Sequence, residues 1–140
     1  MLRALLFSTI AASGFAATAA VAQDAAAGEN AFRSCVACHG VVNLDGEVIV
    51  RGGRAGPNLF GVIGRTAGSV DGYRYSSPLV AAGEAGLVWD EETLAAFIMD
   101  PTGYLRTYLD DGGARSKMSF KARSGAADIA AYLASLDPAM

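Results

Sequence analysis

The chain has 140 residues, a length that fits one domain. It carries 11 Lys and Arg residues against 14 Asp and Glu residues, a net charge of −3, and this acidic balance argues against a nucleic-acid-binding protein, which usually has a basic excess. Both cysteines and the single histidine lie within residues 35–39, so the chemistry of these side chains is concentrated in one short segment.

Residues 1–22 have the features of a cleavable signal peptide. Arg3 gives a short positive region, an apolar segment follows, and Ala20-Val21-Ala22 is a small-x-small cleavage site. The alternative is an uncleaved membrane anchor, because the uncharged stretch is about long enough to span a bilayer. Its Ala-rich composition and its Ser and Gly interruptions favour cleavage. We therefore expect residues 23–140 to be one exported, periplasmic domain with no stable membrane insertion.

The first part of this domain is predicted to be one helix followed by long loops. Asp24 precedes an alanine run, which predicts an N-terminal helix that passes Phe32 and enters the segment with the cysteines. The residues from Gly40 to Gly56 are typical of a loop, and Asp45-Gly46 is compatible with a short hairpin there. The following residues, up to position 76, are too rich in glycine for long regular elements.

Two further helices are predicted in the middle of the chain. Ser77-Pro78 combines a cap residue with Pro at the first helical position, and Gly83 is expected to end this short helix. Asp90 is expected to cap the next helix, which Pro101 would stop. The apolar face of that helix is formed by Leu94, Phe97 and Ile98.

The C-terminal part is predicted to be a long loop, Gly103 to Lys121, and a terminal helix that Ser124 caps and Pro138 stops. The apolar face of this helix is formed by Ile129, Tyr132, Leu133 and Leu136. The fold class is therefore all-α, with four to five short helices and long loops. Loops of this length are unusual in a compact domain unless something organises them, and a large buried cofactor would do so.

The segment Cys35-Val36-Ala37-Cys38-His39 has the spacing of a c-type haem attachment site. Two thiols about one helical turn apart can bond covalently to one side of a porphyrin, and the adjacent histidine can then bind the iron. The alternatives are a disulfide, a thioredoxin-like dithiol and half of a zinc site. A dithiol of that kind belongs in a strand–helix context, and zinc would need further Cys or His ligands, which the chain lacks.

If His39 is one iron ligand, the second cannot be a histidine, and a methionine is the usual choice in electron-transfer haems. Met99 lies in the apolar helix, where it is expected to fill the core. Met118 lies in a distant loop that can fold over the other face of the haem, so we assign it as the second ligand. With both axial positions filled, the iron favours electron transfer over oxygen chemistry.

With these residues the chain resembles a class I cytochrome c of the cytochrome c2 type, in its longer bacterial form. Gly28 matches a position where the terminal helices approach closely, and the resemblance implies that the Pro57 carbonyl accepts a hydrogen bond from His39 Nδ1. It also implies that the haem propionates are bound by Arg65, Tyr75 and Trp89. Arg65 could instead be a solvated surface residue, and Trp89 an ordinary core aromatic.

The chain departs from the short form of this family in two ways. Residues 40–54 and 105–114 contain insertions that resemble those of the longer bacterial proteins. Phe97 stands where the family commonly has a tyrosine whose hydroxyl lies near the methionine sulfur. Since phenylalanine cannot donate that hydrogen bond, our hypothesis is that the hydrogen bonding around Met118 is reduced.

The resemblance implies a soluble periplasmic carrier of single electrons with one covalent haem c, and not an enzyme. Its donor would be a cytochrome bc1 complex, and its acceptor a photosynthetic reaction centre or a terminal oxidase. Docking would be transient and electrostatic, and the carrier itself a monomer. Candidate docking charges are Arg33, Arg115, Lys117, Lys121 and Arg123. The alternatives are a peroxidase-like or gas-binding protein with a labile sixth ligand, and a haem subunit of a larger oxidoreductase.

Overall fold

The structure is a computed structural model, and it describes residues 23–137. The predicted signal peptide and Pro138 lie outside these residues. The described chain forms five helices and one two-stranded hairpin: α1 Ala25–Phe32, β1 Val41–Val42, β2 Val48–Val50, α2 Ser77–Glu84, α3 Glu91–Met99, α4 Pro101–Leu109 and α5 Ala126–Ser135. The predicted fold class, mostly helical with long loops, is confirmed.

Helices α1 and α5 pack against each other and bring the two ends of the domain together. Asp24 caps α1 as predicted, because its carboxylate accepts hydrogen bonds from the backbone N–H groups of residues 26 and 27. The rings of Phe32 and Tyr132 lie 5.6 Å apart across the crossing. At Gly28 the backbones are so close that a β-carbon would overlap the carbonyl oxygen of Asp128. The glycine is therefore required by the approach of the helices.

Helix α3 supplies much of the apolar core between α4 and α5. Its N-terminus is a capping box. The backbone N–H of Thr93 donates to the carboxylate of Asp90, and the backbone N–H of Asp90 donates to the hydroxyl oxygen of Thr93. The three residues predicted for its apolar face are all buried. Phe97 packs against Trp89, with ring centroids 5.0 Å apart.

The hairpin predicted around Asp45-Gly46 is present. Strands β1 and β2 pair antiparallel, with Val41 opposite Val50 and a register irregularity after Val41. The turn is closed by Asn43, whose side-chain oxygen accepts hydrogen bonds from the N–H groups of Asp45 and Glu47. Gly46 has a φ of 84°, a backbone conformation that glycine adopts without steric cost.

The prediction of an uninterrupted loop from Gly103 to Lys121 is wrong, because its first part belongs to α4. Pro101 does end α3 as predicted, but it is also the first residue of α4, where a missing N–H costs nothing. Asp100 caps this helix by accepting a hydrogen bond from the N–H of Gly103 at 3.2 Å. Leu105 is fully buried and fixes α4 to the core.

Four smaller predictions also differ from the structure. The residue at the N-cap of α2 is Ser76 instead of Ser77, and α2 continues to Glu84. Gly125, with a φ of 71°, precedes α5 in place of the predicted cap Ser124, and no side chain caps this helix. Met99 is 56% exposed and therefore does not fill the core.

Replacement of Gly28 by Ala should separate α1 from α5. Overpacking typically costs about 1–3 kcal/mol, which exceeds the gain in helix propensity of roughly 1 kcal/mol. We expect a lower free energy of unfolding, measured by guanidinium titration of the holoprotein. Gly112→Ala is the control, because a β-carbon there meets nothing within 4 Å. Equal stabilities of the two variants would contradict the close approach.

Candidate functional site

The segment 35–39 forms a tight turn directly after α1. The backbone N–H of Cys38 and that of His39 both donate to the carbonyl oxygen of Cys35, at 3.1 and 2.9 Å. Both thiols are free: Cys35 is half-buried and Cys38 exposed. Burial raises the pKa of the Cys35 thiol, and a side-chain hydrogen bond with Ser34 opposes this shift. The two thiols and the imidazole thus extend from one turn.

His39 is buried, with 9% of its surface exposed. Burial lowers the pKa of its imidazole, against the opposing effect of the Pro57 carbonyl, so the ring is neutral at pH 7. Nδ1 lies 2.9 Å from the Pro57 carbonyl oxygen, as predicted. Since a carbonyl only accepts, Nδ1 must carry the hydrogen, and Nε2 keeps its lone pair for a metal.

The loop before Pro57 lies directly against the imidazole. A β-carbon on Gly56 would overlap Cε1 of His39 and would lie 2.6 Å from Nδ1. The backbone N–H of Gly56 also donates to the carbonyl oxygen of Cys38 at 2.8 Å. Glycine is therefore needed at this position for the ring to keep its orientation, a requirement that the sequence pattern alone did not reveal.

Met118 lies half-buried against the apolar core, in the loop between α4 and α5. Its backbone N–H donates to Ser116 Oγ at 3.0 Å. The ammonium group of the neighbouring Lys117 donates to the carbonyl oxygen of Arg74 at 2.5 Å. The predicted second ligand is thus in a loop that side chains hold in place.

Arg65 and Trp89, two of the predicted propionate-binding residues, are neighbours. The N–H of Trp89 donates to the carbonyl oxygen of Arg65 at 2.9 Å. The guanidinium group of Arg65 donates to the carbonyl oxygens of Phe60 and Asn58, at 3.2 and 3.1 Å. Burial lowers its pKa, yet arginine stays charged in proteins. Arg65 is therefore half-buried and hydrogen-bonded to the backbone.

Tyr75, the third predicted propionate-binding residue, lies within electrostatic range of Arg65. Burial raises the pKa of its phenol, and the positive charge of Arg65 opposes this. Its ring packs edge-on against Tyr73, with centroids 4.7 Å apart. The structure therefore brings Arg65, Tyr75 and Trp89 to one region of the molecule.

A hydrogen bond of Tyr73 was missed by the sequence analysis. Its hydroxyl donates to the carbonyl oxygen of Ala55 at 2.7 Å, next to the loop that carries Gly56 and Pro57. Together with the bond from Lys117 to Arg74, it connects the loop beside His39 to the loop of Met118 through residues 73 and 74. Both bonds join distant parts of the chain, so no local motif could have predicted them.

These residues fit a haem of the c type. One turn presents two unpaired thiols and a neutral imidazole with a free nitrogen, and a separate loop presents a thioether. A half-buried guanidinium, a phenol and an indole can serve carboxylates. Among residues 23–137, no helix has both the length and the apolar character needed to cross a bilayer.

No protein-family model matches the chain, but individual relatives do. The chain is 58% identical to cytochrome c-551 of Roseobacter denitrificans, over 81% of each chain. It is 46% identical to cytochrome c2 of Rhodobacter capsulatus, over 94% of this chain and 96% of the relative. The chain belongs to the cytochrome c2 family. Like its relatives it is an electron-transfer protein and not an enzyme, and its cofactor is one covalently bound haem c.

Solved structures agree with membership of the cytochrome c2 family. The structure of Rhodobacter capsulatus cytochrome c2 matches with a TM-score of 0.80 at 46% identity, over 81% of this chain and 97% of that one. Cytochrome c2 of Paracoccus denitrificans matches with a TM-score of 0.82 at 40% identity, over 85% and 100%. The resemblance to this family inferred from the sequence is therefore confirmed.

Replacement of Gly56 by Ala should displace the His39 ring and weaken its hydrogen bond to Pro57. We expect the holoprotein to lose about 1–3 kcal/mol of unfolding free energy, as for other overpacked sites, measured by denaturant titration. Gly40→Ala is the matched control beside the same histidine, since its β-carbon would meet nothing closer than 3.4 Å. Equal stability of Gly56→Ala and the control would show that the ring tolerates the methyl group.

Proposed function

We propose that the chain is a soluble periplasmic carrier of single electrons, whose one haem is attached through Cys35 and Cys38 and whose iron is bound by His39 and Met118. The observation that carries this proposal is the buried, neutral imidazole of His39, held by Pro57 at 2.9 Å in the turn that also presents both thiols. The predicted signal peptide supports export to the periplasm.

The proximal side depends on a histidine whose orientation does not change. The hydrogen bond to Pro57 fixes the tautomer and the ring plane, and it raises the basicity of the nitrogen that binds iron. The glycine backbone on one side and the turn on the other leave the ring little freedom. An iron ligand fixed in this way keeps its geometry in both oxidation states, which favours fast electron transfer.

Met118 is supported as the second ligand by comparison with the other methionines of the domain. Met99 is 56% exposed, and Met140 lies outside the described residues. Met118 is half-buried and contacts the core, in a loop fixed by Ser116 and Lys117. A thioether ligand raises the reduction potential of haem iron, and a second axial ligand leaves no open position for a substrate.

Arg65, Tyr75 and Trp89 are proposed to bind the haem propionates. A buried carboxylate needs hydrogen-bond donors or a countercharge, and this trio offers a guanidinium, a phenol and an indole N–H. Two of the Arg65 nitrogen atoms already donate to backbone carbonyls, so the charge is held in place before any propionate binds.

The proposed partners are a cytochrome bc1 complex as donor and a photosynthetic reaction centre or terminal oxidase as acceptor. The residues of the proposed docking surface are Arg33, Arg115, Lys117, Lys121 and Arg123, and all of them are exposed. The protein as a whole is acidic, so positive charge near the Met118 loop would give the protein a dipole. This dipole would orient the Met118 loop toward an acidic partner surface. The carrier is proposed to act as a monomer.

Replacement of Met118 by Ala should remove the sulfur–iron charge-transfer band of the oxidised protein. The ferrous protein should then bind carbon monoxide rapidly, because the sixth position is open. Met99→Ala is the control, since it removes an exposed methionine and should leave the spectrum unchanged. A persistent band in Met118→Ala, or its loss in Met99→Ala, would overturn the assignment of the ligand.

Electron transfer from the carrier to a purified membrane acceptor should slow as ionic strength rises. The Debye length shortens from about 10 Å at 0.1 M to 3 Å at 1 M, so long-range attraction is screened. Arg123→Gln should weaken this salt dependence. Arg51→Gln is the control, because it also removes one positive charge but lies beside β2, in a different groove from that of Arg123. It should weaken the salt dependence less. A second-order rate constant that is independent of salt would argue against electrostatic docking.

A further inference from the structure

The corner between α3 and α4, residues 98–102, contacts the Met118 loop on both sides of the methionine. On the C-terminal side, the N–H of Ala122 donates to the carbonyl oxygen of Ile98 at 2.8 Å. Lys121 pairs with Asp100 at 2.8 Å. On the N-terminal side, the N–H of Ser116 donates to Thr102 Oγ1 at 3.1 Å. One corner thus fixes both ends of the segment 116–122.

The N-terminal contact continues to Met118 itself. Thr102 Oγ1 accepts the hydrogen bond from the backbone of Ser116, and Ser116 Oγ accepts the one from the backbone of Met118 at 3.0 Å. Two hydroxyl groups in succession therefore connect the first turn of α4 to the backbone of the proposed ligand. Both hydrogen bonds are partly buried, so water competes for them less than on an open surface.

The returning chain before Ser116 is also held by α4. Arg106 Nε donates to the carbonyl oxygen of Ala114 at 3.1 Å, and the Ala114 side chain is buried. The N–H of Asp111 donates to the carbonyl oxygen of Arg106 at 3.1 Å. The insertion at 105–114 therefore forms the end of a helix and a chain segment that returns along it toward Thr102.

Thr102 differs from the other contacts of the corner. The ion pair of Lys121 with Asp100 joins side chains that are 58% and 50% exposed, and such pairs contribute little in water. The contact of Ala122 with Ile98 is between backbones. The contact at Thr102 is partly buried and depends on one side-chain oxygen, whose removal would leave the Ser116 N–H without its acceptor.

We propose that Thr102 is a positioning residue for Met118, which it acts on through Ser116. This rests on the proposed function, in which Met118 binds the iron. For the thioether to leave the iron, residues 116–118 must move away from the corner and break the bond to Thr102. The hydroxyl of Thr102 therefore keeps the sixth position closed and the geometry of the iron constant while electrons pass.

The test measures how readily added imidazole displaces Met118 from the iron of the ferric holoprotein. The displacement is monitored by the loss of the sulfur–iron charge-transfer band. Thr102→Val keeps the shape of the side chain and removes the oxygen. We expect the apparent affinity for imidazole to rise roughly two- to tenfold, the usual effect of one lost hydrogen bond. Ser116→Ala should act in the same direction, because it removes the acceptor for the Met118 N–H.

Two variants separate the hydroxyl from general effects on α4. Thr102→Ser keeps the oxygen and should restore wild-type affinity for imidazole. Thr107→Val makes the same exchange at an exposed position of the same helix and should not change that affinity. If Thr102 only stabilised α4, the affinity for imidazole would not rise in Thr102→Val while staying at the wild-type value in Thr102→Ser and Thr107→Val.

The possible results distinguish failure of this inference from failure of the proposed function. If the wild-type protein has the charge-transfer band but Thr102→Val binds imidazole like Thr107→Val, the role of Thr102 is wrong and Met118 remains the ligand. If Thr102→Ser behaves like Thr102→Val, the hydroxyl does not hold the loop. If the wild-type protein lacks the band, Met118 is not the ligand and the inference is overturned with it.

Discussion

The hydrogen bond between His39 and Pro57 is the interaction on which the rest of the site depends. It fixes the tautomer of the only histidine in the chain, and it can form only because the loop before Pro57 lies directly against the turn 35–39. β-Carbons on Gly52 and Gly53 would overlap the carbonyl oxygens of His39 and Ala37. The glycines of this loop thus allow a backbone to approach a backbone, and the position of the imidazole follows from that approach.

The two sides of the site pack against one apolar core and are also connected by hydrogen bonds between their loops. The loop beside His39 is joined through Ala55 to Tyr73, and Arg74 is joined to Lys117 next to Met118. A displacement of either loop would therefore strain the other through two hydrogen bonds. This arrangement suits a carrier that must keep both sides of a large cofactor fixed while its own helices remain short.

The sequence predicted the contiguous turn 35–39, but local patterns misassigned α4 and Met99 and gave no sign of the distant hydrogen bonds. The turn 35–39 could be interpreted because thiols and imidazole lie within five residues. Helix α4 was missed because Asp100-Pro101 is equally typical of a helix end and of a helix start. Met99 was misplaced because it lies one helical step beyond the apolar face that ends with Ile98, which turns it toward solvent. The bond between Lys117 and Arg74 spans 43 residues, and no local pattern encodes such a pair.

Phe97 changes how Met118 can be held. In the family that the sequence resembles, a tyrosine commonly places its hydroxyl near the methionine sulfur, whereas Phe97 is a core residue that packs against the rings of Trp89 at 5.0 Å and Tyr104 at 5.9 Å. No hydrogen bond to the sulfur can come from this side chain. Among the contacts that hold the loop, the hydrogen bonds to Thr102 and Ser116 act on its backbone. The proposed positioning of Met118 through α4 therefore does not require a hydrogen bond from residue 97 to the sulfur atom.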